Sequence, residues 1–186
     1  MGLNKGYLTS DKKDNELYSP FYIVDHITKY ISKDKVIWCP FDEEWSAYYR
    51  RLKELGYKVI RSSIHEGQDF LTYEPNERWD VIVSNPPFSI KDKVLERLYS
   101  LNKPFAILLP LNSLQGKSRF KFFAGGGIQL LSFDARVCYH DKKHMDKVVK
   151  GSPFATAYFC KDILPKDLIV EKLNEYERSL IENCEE

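Results

Sequence analysis

Short runs of apolar residues alternate along this chain with segments of helical periodicity, and this alternation limits the fold more than any other feature. The apolar runs are KVIWC (35–39), YKVIRS (57–62), WDVIVS (79–84) and FAILL (105–109). Runs that are apolar on both faces are typical of strands in a parallel sheet covered by helices. The sequence therefore predicts an α/β fold with a mostly parallel sheet and helices on both faces.

Helical patterns lie between these runs. We expect helices over residues 20–32, 43–56 and 92–101. Ser19 and Pro20 form an N-cap followed by proline at the first helical position, which is a common helix start. Gly56 is a typical helix stop.

The later part of the chain is less regular. We expect residues 128–134 and 154–160 to form an antiparallel pair at one edge of the sheet, with a polar and flexible segment between them. Residues 69–71 predict a brief additional strand. The tail over 168–181 has apolar residues at three- and four-residue spacings, which predicts an amphipathic helix packed on the domain.

Composition limits the class of protein. With 186 residues, 43% of them hydrophobic, the chain is long enough for one well-buried domain, which we place at 17–186 after a flexible arm at 1–16. Lys and Arg total 28 against 27 for Asp and Glu, so net charge neither favours nor excludes a nucleic-acid partner. Four widely spaced cysteines without a C-x-x-C pair, and the absence of an apolar stretch of about 18 residues or of a signal peptide, favour a cytoplasmic protein without a membrane partner.

Asn85-Pro86-Pro87-Phe88 follows the predicted strand 79–84, at the sheet edge where open α/β sheets place their ligands. The Asn85 amide and the Pro86 carbonyl are two acceptors whose geometry the two prolines restrict, because proline fixes φ. Such a pair can accept both hydrogens of one planar NH2 group, and Phe88 offers a ring on which a base can stack. The alternative interpretation is a tight turn that merely ends the strand.

This motif resembles the N-P-P-F motif of S-adenosylmethionine-dependent amino-methyltransferases, above all those acting on the N6 amine of adenine. In that family the Asn and first Pro carbonyls hold the exocyclic amine, so that its nitrogen lone pair turns toward the sulfonium methyl without a strong base. The resemblance implies a Rossmann-like methyltransferase fold, S-adenosylmethionine as cofactor, and a catalytic corner formed by Asn85, Pro86, Pro87 and Phe88.

Other segments resemble further motifs of the family in one of its known circular arrangements. Tyr18-Ser19-Pro20 is similar to the T-P motif near the methionine end of the cofactor. Asp69-Phe70 is similar to the G-D-F motif, whose Asp accepts from the cofactor adenine. Phe154 resembles a late aromatic position that packs against the target base. Taken together, WCPFD, GQDF, SNPPFS, KPFAILLP and PFATAYFC look like short phage-borne proteins of this kind.

The chain departs from the family after its first two predicted strands. Where the family has D-P-F-x-G-x-G, this chain has CPFDEEW: Pro40 is kept, the acidic residue is shifted to Asp42, and both glycines are missing. Where the family offers an acidic residue to the ribose, this chain has Ser62, with Glu66 as the nearest acidic candidate. The resemblance implies Pro40, Asp42 and Ser62 as cofactor-binding positions.

Two further patterns each allow two interpretations. In QGKSRFKFF (115–123), Lys117 and Arg119 alternate with phenylalanines, as in a nucleic-acid-facing loop or in an exposed helix with an apolar inner face. His140 and His144 have a spacing that suits a metal, but the charged residues around them favour a solvated loop without one.

We therefore expect methyl transfer to adenine N6 in DNA or RNA. Since 186 residues leave little room for a separate recognition domain, we expect specificity to be low, or to be supplied by single-stranded or structured substrate, by a homodimer or by a partner protein. Two alternatives remain open. The same motif resembles that of enzymes that methylate a glutamine side-chain amide in proteins, and the missing glycine turn is compatible with a degraded, non-catalytic binding or inhibitory module.

Overall fold

The computed structural model describes residues 18–141, 144–148 and 154–173. Its strands are β1 (Val36–Cys39), β2 (Lys58–Arg61), β3 (Val81–Ser84), β4 (Phe105–Pro110), β5 (Gln129–Phe133), β6 (His140–Asp141), β7 (His144–Val148), β8 (Thr156–Lys161) and β9 (Leu168–Glu171). Seven of them form one sheet in the order β2-β1-β3-β4-β8-β5-β9, and β6 and β7 form a separate pair. The segment predicted to be a polar, flexible connection thus contains a hairpin.

The sheet is mostly parallel, as predicted. β1 pairs in parallel with β2 and β3, and β3 pairs in parallel with β4. β8 runs antiparallel to both β4 and β5, which confirms the predicted antiparallel pairing of β5 with β8. The carboxyl ends of β1, β2, β3 and β4 therefore meet at one edge of the sheet.

Helices cover both faces of the sheet, which confirms the predicted layers. The helices are α1 (Phe21–Thr28), α2 (Ala47–Glu54), α3 (Lys91–Leu101) and α4 (Phe120–Gly126). Alternate strand residues face two apolar cores: Ile37 lies in the core with α1 and α2, and Trp38 lies in the core with α3. None of the described helices is both long and apolar enough to cross a membrane.

The helix predicted from Leu168 is wrong for its first four residues. Leu168–Glu171 form β9, which pairs in parallel with β5 and lies at the edge of the sheet. Exposed Leu168 and Val170 alternate with Ile169, which packs on the core, and this period of two is that of a strand. The helical spacing began only at Leu173. Residues 174–181 of that prediction, and the arm at 1–16, lie outside the described residues.

The strand predicted at residues 69–71 is also wrong, because this segment is a turn. One Asp69 carboxylate oxygen accepts a hydrogen bond from the Leu71 amide at 3.0 Å. The Asp69 carbonyl accepts from Thr72 at 2.9 Å and from Tyr73 at 2.7 Å. An aspartate that binds the backbone two residues further on favours a turn over a strand.

The predicted helix starts need two smaller corrections. α1 begins at Phe21 after Pro20, and its amino end has no side-chain cap, so the predicted capping role of Ser19 is wrong. α2 begins at Ala47 rather than at Glu43, because a turn in which the Ser46 amide donates to the Glu43 carbonyl at 3.0 Å precedes it.

Candidate active site

The N-P-P-F corner lies directly after β3, at the carboxyl edge of the parallel strands. Asn85 follows the last residue of β3, Pro86 is buried, and Pro87 is exposed. The Pro87 carbonyl accepts a hydrogen bond from the Ile90 amide at 3.3 Å, which closes a short 3₁₀ turn that begins at Phe88. The turn reverses the chain into α3, so Asn85 and Phe88 stay at the mouth of the sheet.

Ser19 contacts Asn85 directly. The Asn85 Nδ2 donates a hydrogen bond to the Ser19 Oγ at 3.2 Å. Ser19 is 7% exposed and precedes Pro20, which is also buried. The structure thus brings together the T-P-like segment and the N-P-P-F corner, two motifs that the sequence places far apart.

Phe88 and Phe154 form an aromatic pair beside this corner. Their ring centroids lie 5.5 Å apart with an interplanar angle of 73°. Phe154 is held there because the next residue, Ala155, accepts a hydrogen bond from the Leu111 amide, just past β4, at 2.9 Å. Both rings are only half-buried, so they can offer apolar surface to one planar ligand.

Asp42 is a buried carboxylic acid behind the corner. It is 4% exposed, and its Oδ2 accepts a hydrogen bond from the Ser84 Oγ at 2.5 Å. Burial raises the pKa of Asp42 to about 7, although hydrogen bonds with Ser84 and Ser46 lower it in part. Asp42 therefore connects the loop after β1 to the last residue of β3 and titrates near neutral pH.

Side chains occupy the turn after β1, at the positions where the family that the sequence motifs resemble has glycines. The Trp45 indole N–H donates to Glu43 at 2.7 Å, and the Trp45 ring packs edge-on against Tyr18 with centroids 4.8 Å apart. The His65 Nε2 lies 3.8 Å from the other Glu43 oxygen. Sequence spacing did not indicate that Glu43, Trp45 and His65 form one group, because only their contacts in the folded chain bring them together.

Several predicted cofactor residues support the site from within the core. Ser62 is fully buried, and its hydroxyl accepts a hydrogen bond from the Trp38 indole at 2.9 Å. Phe70 is 2% exposed and packs against Phe41, with ring centroids 4.9 Å apart. Pro40 is buried as well. These three residues are placed to shape the floor of a site rather than to line its surface.

The surface of the turn after β2 carries different residues. Ile64 is 66% exposed. Asp69, on the following turn, is half-buried. Glu66 forms an ion pair with Arg61 at 2.6 Å. The sequence did not single out Ile64 as a candidate site residue, because its exposure is visible only in the folded chain.

The loop after β4 brings the predicted substrate residues to the same edge. Arg119 is buried, and its guanidinium donates to the Ser113 carbonyl at 2.7 Å, to the Gln115 carbonyl and to Asp92 of α3. The Arg119 contacts hold the loop beside the first turn of α3. Lys117 is exposed on the loop. An open depression next to it is lined by Leu114, Gln115, Gly116, Lys117, Phe120, Phe123 and Ala124.

Comparison with solved structures identifies the class of this fold. The chain resembles the methyltransferase subunit of a type I restriction-modification system from Streptococcus thermophilus with a TM-score of 0.50, over 96% of this chain and 54% of that one, at 12% identity. The chain therefore has the Rossmann-like methyltransferase fold. It spans about half the length of that subunit.

Two further solved structures show weaker likenesses. The first is the 23S rRNA methyltransferase ErmE, with a TM-score of 0.46 at 13% identity over 92% of this chain and 78% of that one. The second is a predicted O-methyltransferase from Agrobacterium tumefaciens, with a TM-score of 0.42 at 9% identity over 86% of this chain and 95% of that one. No protein-family model and no curated protein sequence matches the chain.

Proposed function

We propose that this chain is an S-adenosylmethionine-dependent methyltransferase that acts on the N6 amine of adenine in DNA or RNA. The observation that carries this proposal is the position of the Asn85 amide. It lies at the carboxyl end of β3, with its nitrogen bonded to Ser19 and with the Phe88–Phe154 pair beside it. An amide acceptor next to apolar ring surface suits a planar base that carries an exocyclic amine.

The proposed chemistry uses few groups. When bound, S-adenosylmethionine would supply an electrophilic methyl group: the amine nitrogen would bond to this carbon as its bond to sulfur breaks, with S-adenosylhomocysteine as the leaving group and one amine proton released to water. The Asn85 Oδ1 and the Pro86 carbonyl accept the two hydrogens of the adenine amine, which withdraws the nitrogen lone pair from the ring and directs it at the methyl carbon. These acceptors bind more strongly as the nitrogen becomes tetrahedral, so they stabilise the transition state more than the ground state.

The residues around the mouth of the sheet fit this cofactor. Exposed Ile64 offers an apolar surface to the adenine ring, and the half-buried Asp69 offers a carboxylate to its amine. Glu43 supplies negative charge after β1, toward the cationic methionine end. Glu43 and Trp45 stand where the resembling family has glycines, so side chains rather than backbone amides would hold the methionine end. We therefore expect the cofactor to bind with micromolar affinity, about −8 kcal/mol.

The loop and helix after β4 favour a nucleic acid as the substrate. Residues 111–126 carry Lys117, Arg119 and Lys121 and no acidic residue. Asp92 and Glu96 of α3 form ion pairs with Arg119 and Lys121, so the proposal rests mainly on the charge of Lys117. Phe120, between these cations, is 72% exposed. Local positive charge with exposed aromatic rings is typical of surfaces that bind single-stranded nucleic acid. Arg119 anchors this loop through Asp92, so Lys117 and Phe120 are the residues proposed to touch the strand.

Labelled methyl transfer tests the function directly. The protein is incubated with methyl-labelled cofactor and with single-stranded DNA, duplex DNA, RNA or total cell protein, and the digested products are identified by mass spectrometry. We expect N6-methylated adenine nucleosides. Label found only on glutamine would replace this function with protein methylation. The absence of cofactor binding at millimolar concentration, measured by calorimetry, would leave a non-catalytic binding module.

A further inference from the structure

The turn after β1 joins a carboxylate to two aromatic rings beside the proposed catalytic corner. The Trp45 indole N–H donates to the Glu43 Oε2 at 2.7 Å. The Trp45 and Tyr18 rings pack edge to face, with centroids 4.8 Å apart and an interplanar angle of 62°. Tyr18 directly precedes Ser19, whose Oγ accepts a hydrogen bond from the Asn85 amide. The group formed by Tyr18, Glu43 and Trp45 therefore adjoins the corner that holds Asn85.

Backbone hydrogen bonds fix this turn before any ligand binds. The Glu43 amide donates to the Ser46 Oγ at 2.8 Å, and the Ser46 amide donates to the Glu43 carbonyl at 3.0 Å. Ser46 is buried, so water competes little for these two bonds. The Asp42 amide donates to the Ser62 carbonyl at 3.2 Å, which ties the turn to the residue after β2. The turn is thus preorganised, and a ligand that binds there does not have to order it.

The charge and the exposure of these side chains suit a cationic ligand. Trp45 is 40% exposed, and Tyr18 and Glu43 are half-buried, so each has surface left for a ligand. A cation over the face of an aromatic ring is attracted by the ring electrons, and tryptophan attracts it most strongly. Among the described residues no lysine or arginine pairs with Glu43, and the exposed His65 ring, 3.8 Å away, is its one basic neighbour.

We propose that Tyr18, Glu43 and Trp45 recognise the positive charge of the sulfonium in S-adenosylmethionine, so that the chain prefers this cofactor to the neutral S-adenosylhomocysteine. This inference rests on the proposed function: the methyl carbon must lie near the amine that Asn85 holds, and the charged sulfur is one bond further away. A glycine turn at these positions would offer no side chain for such a contact. Because the charge leaves the sulfur with the methyl group, the same residues favour release of the product.

Three ligands separate the effect of charge from that of shape. S-adenosylmethionine carries a sulfonium, S-adenosylhomocysteine has a neutral thioether at the same place, and sinefungin has a carbon bearing an ammonium group there. Calorimetry on the full chain gives the Kd of each ligand without any turnover. We expect the wild-type chain to bind both charged ligands about 3- to 30-fold more tightly than S-adenosylhomocysteine, which is the range of one cation–π contact.

Paired substitutions assign this preference to individual side chains. Trp45→Leu keeps apolar bulk but removes the ring, whereas Trp45→Phe keeps a ring face. Glu43→Gln removes the charge and keeps an acceptor for the Trp45 indole. We expect Trp45→Leu and Glu43→Gln each to lower the preference by about 2-fold or more, by weakening the charged ligands, and Trp45→Phe to retain most of it.

Glu44→Gln is the matched control, because it removes the same charge from the next residue, which is exposed. It should keep the wild-type preference. Melting temperatures without ligand check that each variant is folded. If Trp45→Leu does not fold, the comparison of Glu43→Gln with Glu44→Gln decides the question, since both changes are nearly isosteric.

The outcomes distinguish this inference from the proposed function. Equal Kd values for the three ligands in a wild-type chain that transfers methyl groups would overturn the inference alone. So would a preference that is unchanged in Glu43→Gln and Trp45→Leu, that falls equally in Glu43→Gln and Glu44→Gln, or that excludes sinefungin. A wild-type chain that binds none of the ligands at millimolar concentration would overturn the proposed function, and this inference with it.

Discussion

The Phe88 and Phe154 rings meet edge to face, 5.5 Å apart, although one follows β3 and the other precedes β8. We expect Phe154→Ala and Phe88→Ala each to weaken capture of the target base. A base stacked on an aromatic ring gains about 1 to 3 kcal/mol, so KM for the nucleic acid should rise roughly 5- to 150-fold, while the cofactor Kd stays the same.

Phe133→Ala is the control for these two variants. Phe133 packs edge-on against His26 of α1 with ring centroids 5.0 Å apart, so its removal weakens packing away from the aromatic pair and from the loop after β4. A KM that rises as much in Phe133→Ala as in Phe88→Ala would mean that the pair acts through stability rather than through stacking.

Asn85→Ala tests the acceptor itself. The substitution removes the amide oxygen proposed to hold the substrate amine, so methyl transfer should fall about 10²- to 10³-fold while the cofactor still binds. Asn76→Ala, at an exposed asparagine, is the control and should transfer normally. Normal transfer by Asn85→Ala, with normal cofactor binding, would assign Asn85 to a turn that only ends β3.

The parallel half of the sheet could be predicted because its strands are locally distinctive. Val81–Ser84 are buried on both faces, and such a run has few alternatives to a central strand. The position of Asn85 followed from its place directly after that run. What could not be predicted is where long-range bonds override local preferences.

Ser19 and Arg119 are two examples of such overriding bonds. Ser19 before Pro20 has the pattern of a helix cap, but its hydroxyl accepts a hydrogen bond from the Asn85 amide instead. Arg119 lies in a basic segment that suggests a nucleic-acid contact, but Asp92 and two carbonyls hold its guanidinium. Neither partner can be identified from sequence spacing, because contacts between distant residues depend on how the elements pack.

Asp42 should make stability depend on pH. Burial raises its folded pKa from 3.8 to about 7, so between these values the folded chain holds a proton that the unfolded chain has released. Stability therefore falls as pH rises from about 4 to about 7 and is constant above. Asp42→Asn lacks this loss, so relative to wild type it should gain about 3 kcal/mol on going from pH 5 to pH 8 in urea unfolding.

Asp80→Asn provides a contrast with the opposite sign. A hydrogen bond from the Val36 amide lowers the pKa of Asp80 below 3.8, so its stabilisation is fully present above that value and is lost only at lower pH. The cost of Asp80→Asn should be the same at pH 5 and pH 8. A pH-independent difference in Asp42→Asn as well would contradict the raised pKa of Asp42.

Lys117 should contribute to the salt dependence of nucleic-acid binding. Each phosphate contact adds about 0.7 to 0.9 to the slope of log K against log salt concentration, so Lys117→Ala should reduce the slope by roughly that amount. Lys166→Ala is the control, because Lys166 lies two residues before β9, at the opposite end of the sheet from the carboxyl ends of β3 and β4. Equal slopes in wild type and Lys117→Ala would mean that the nucleic acid does not contact this loop at Lys117.

The cofactor site is tested at the turn after β2, where Ile64 is 66% exposed and Asp69 is half-buried. Ile64→Ala removes apolar area from beneath the proposed position of the adenine ring, and we expect the Kd for S-adenosylhomocysteine to rise about 10- to 50-fold, since the three carbon groups removed contribute about 0.8 kcal/mol each when fully buried. Because Ile64 is exposed, the melting temperature without ligand should change little.

Leu168→Ala, at another exposed apolar residue but on the edge strand β9, is the matched control and should leave the Kd unchanged. Calorimetry on the three proteins decides the question: a Kd unaltered by Ile64→Ala would place the adenine away from β2.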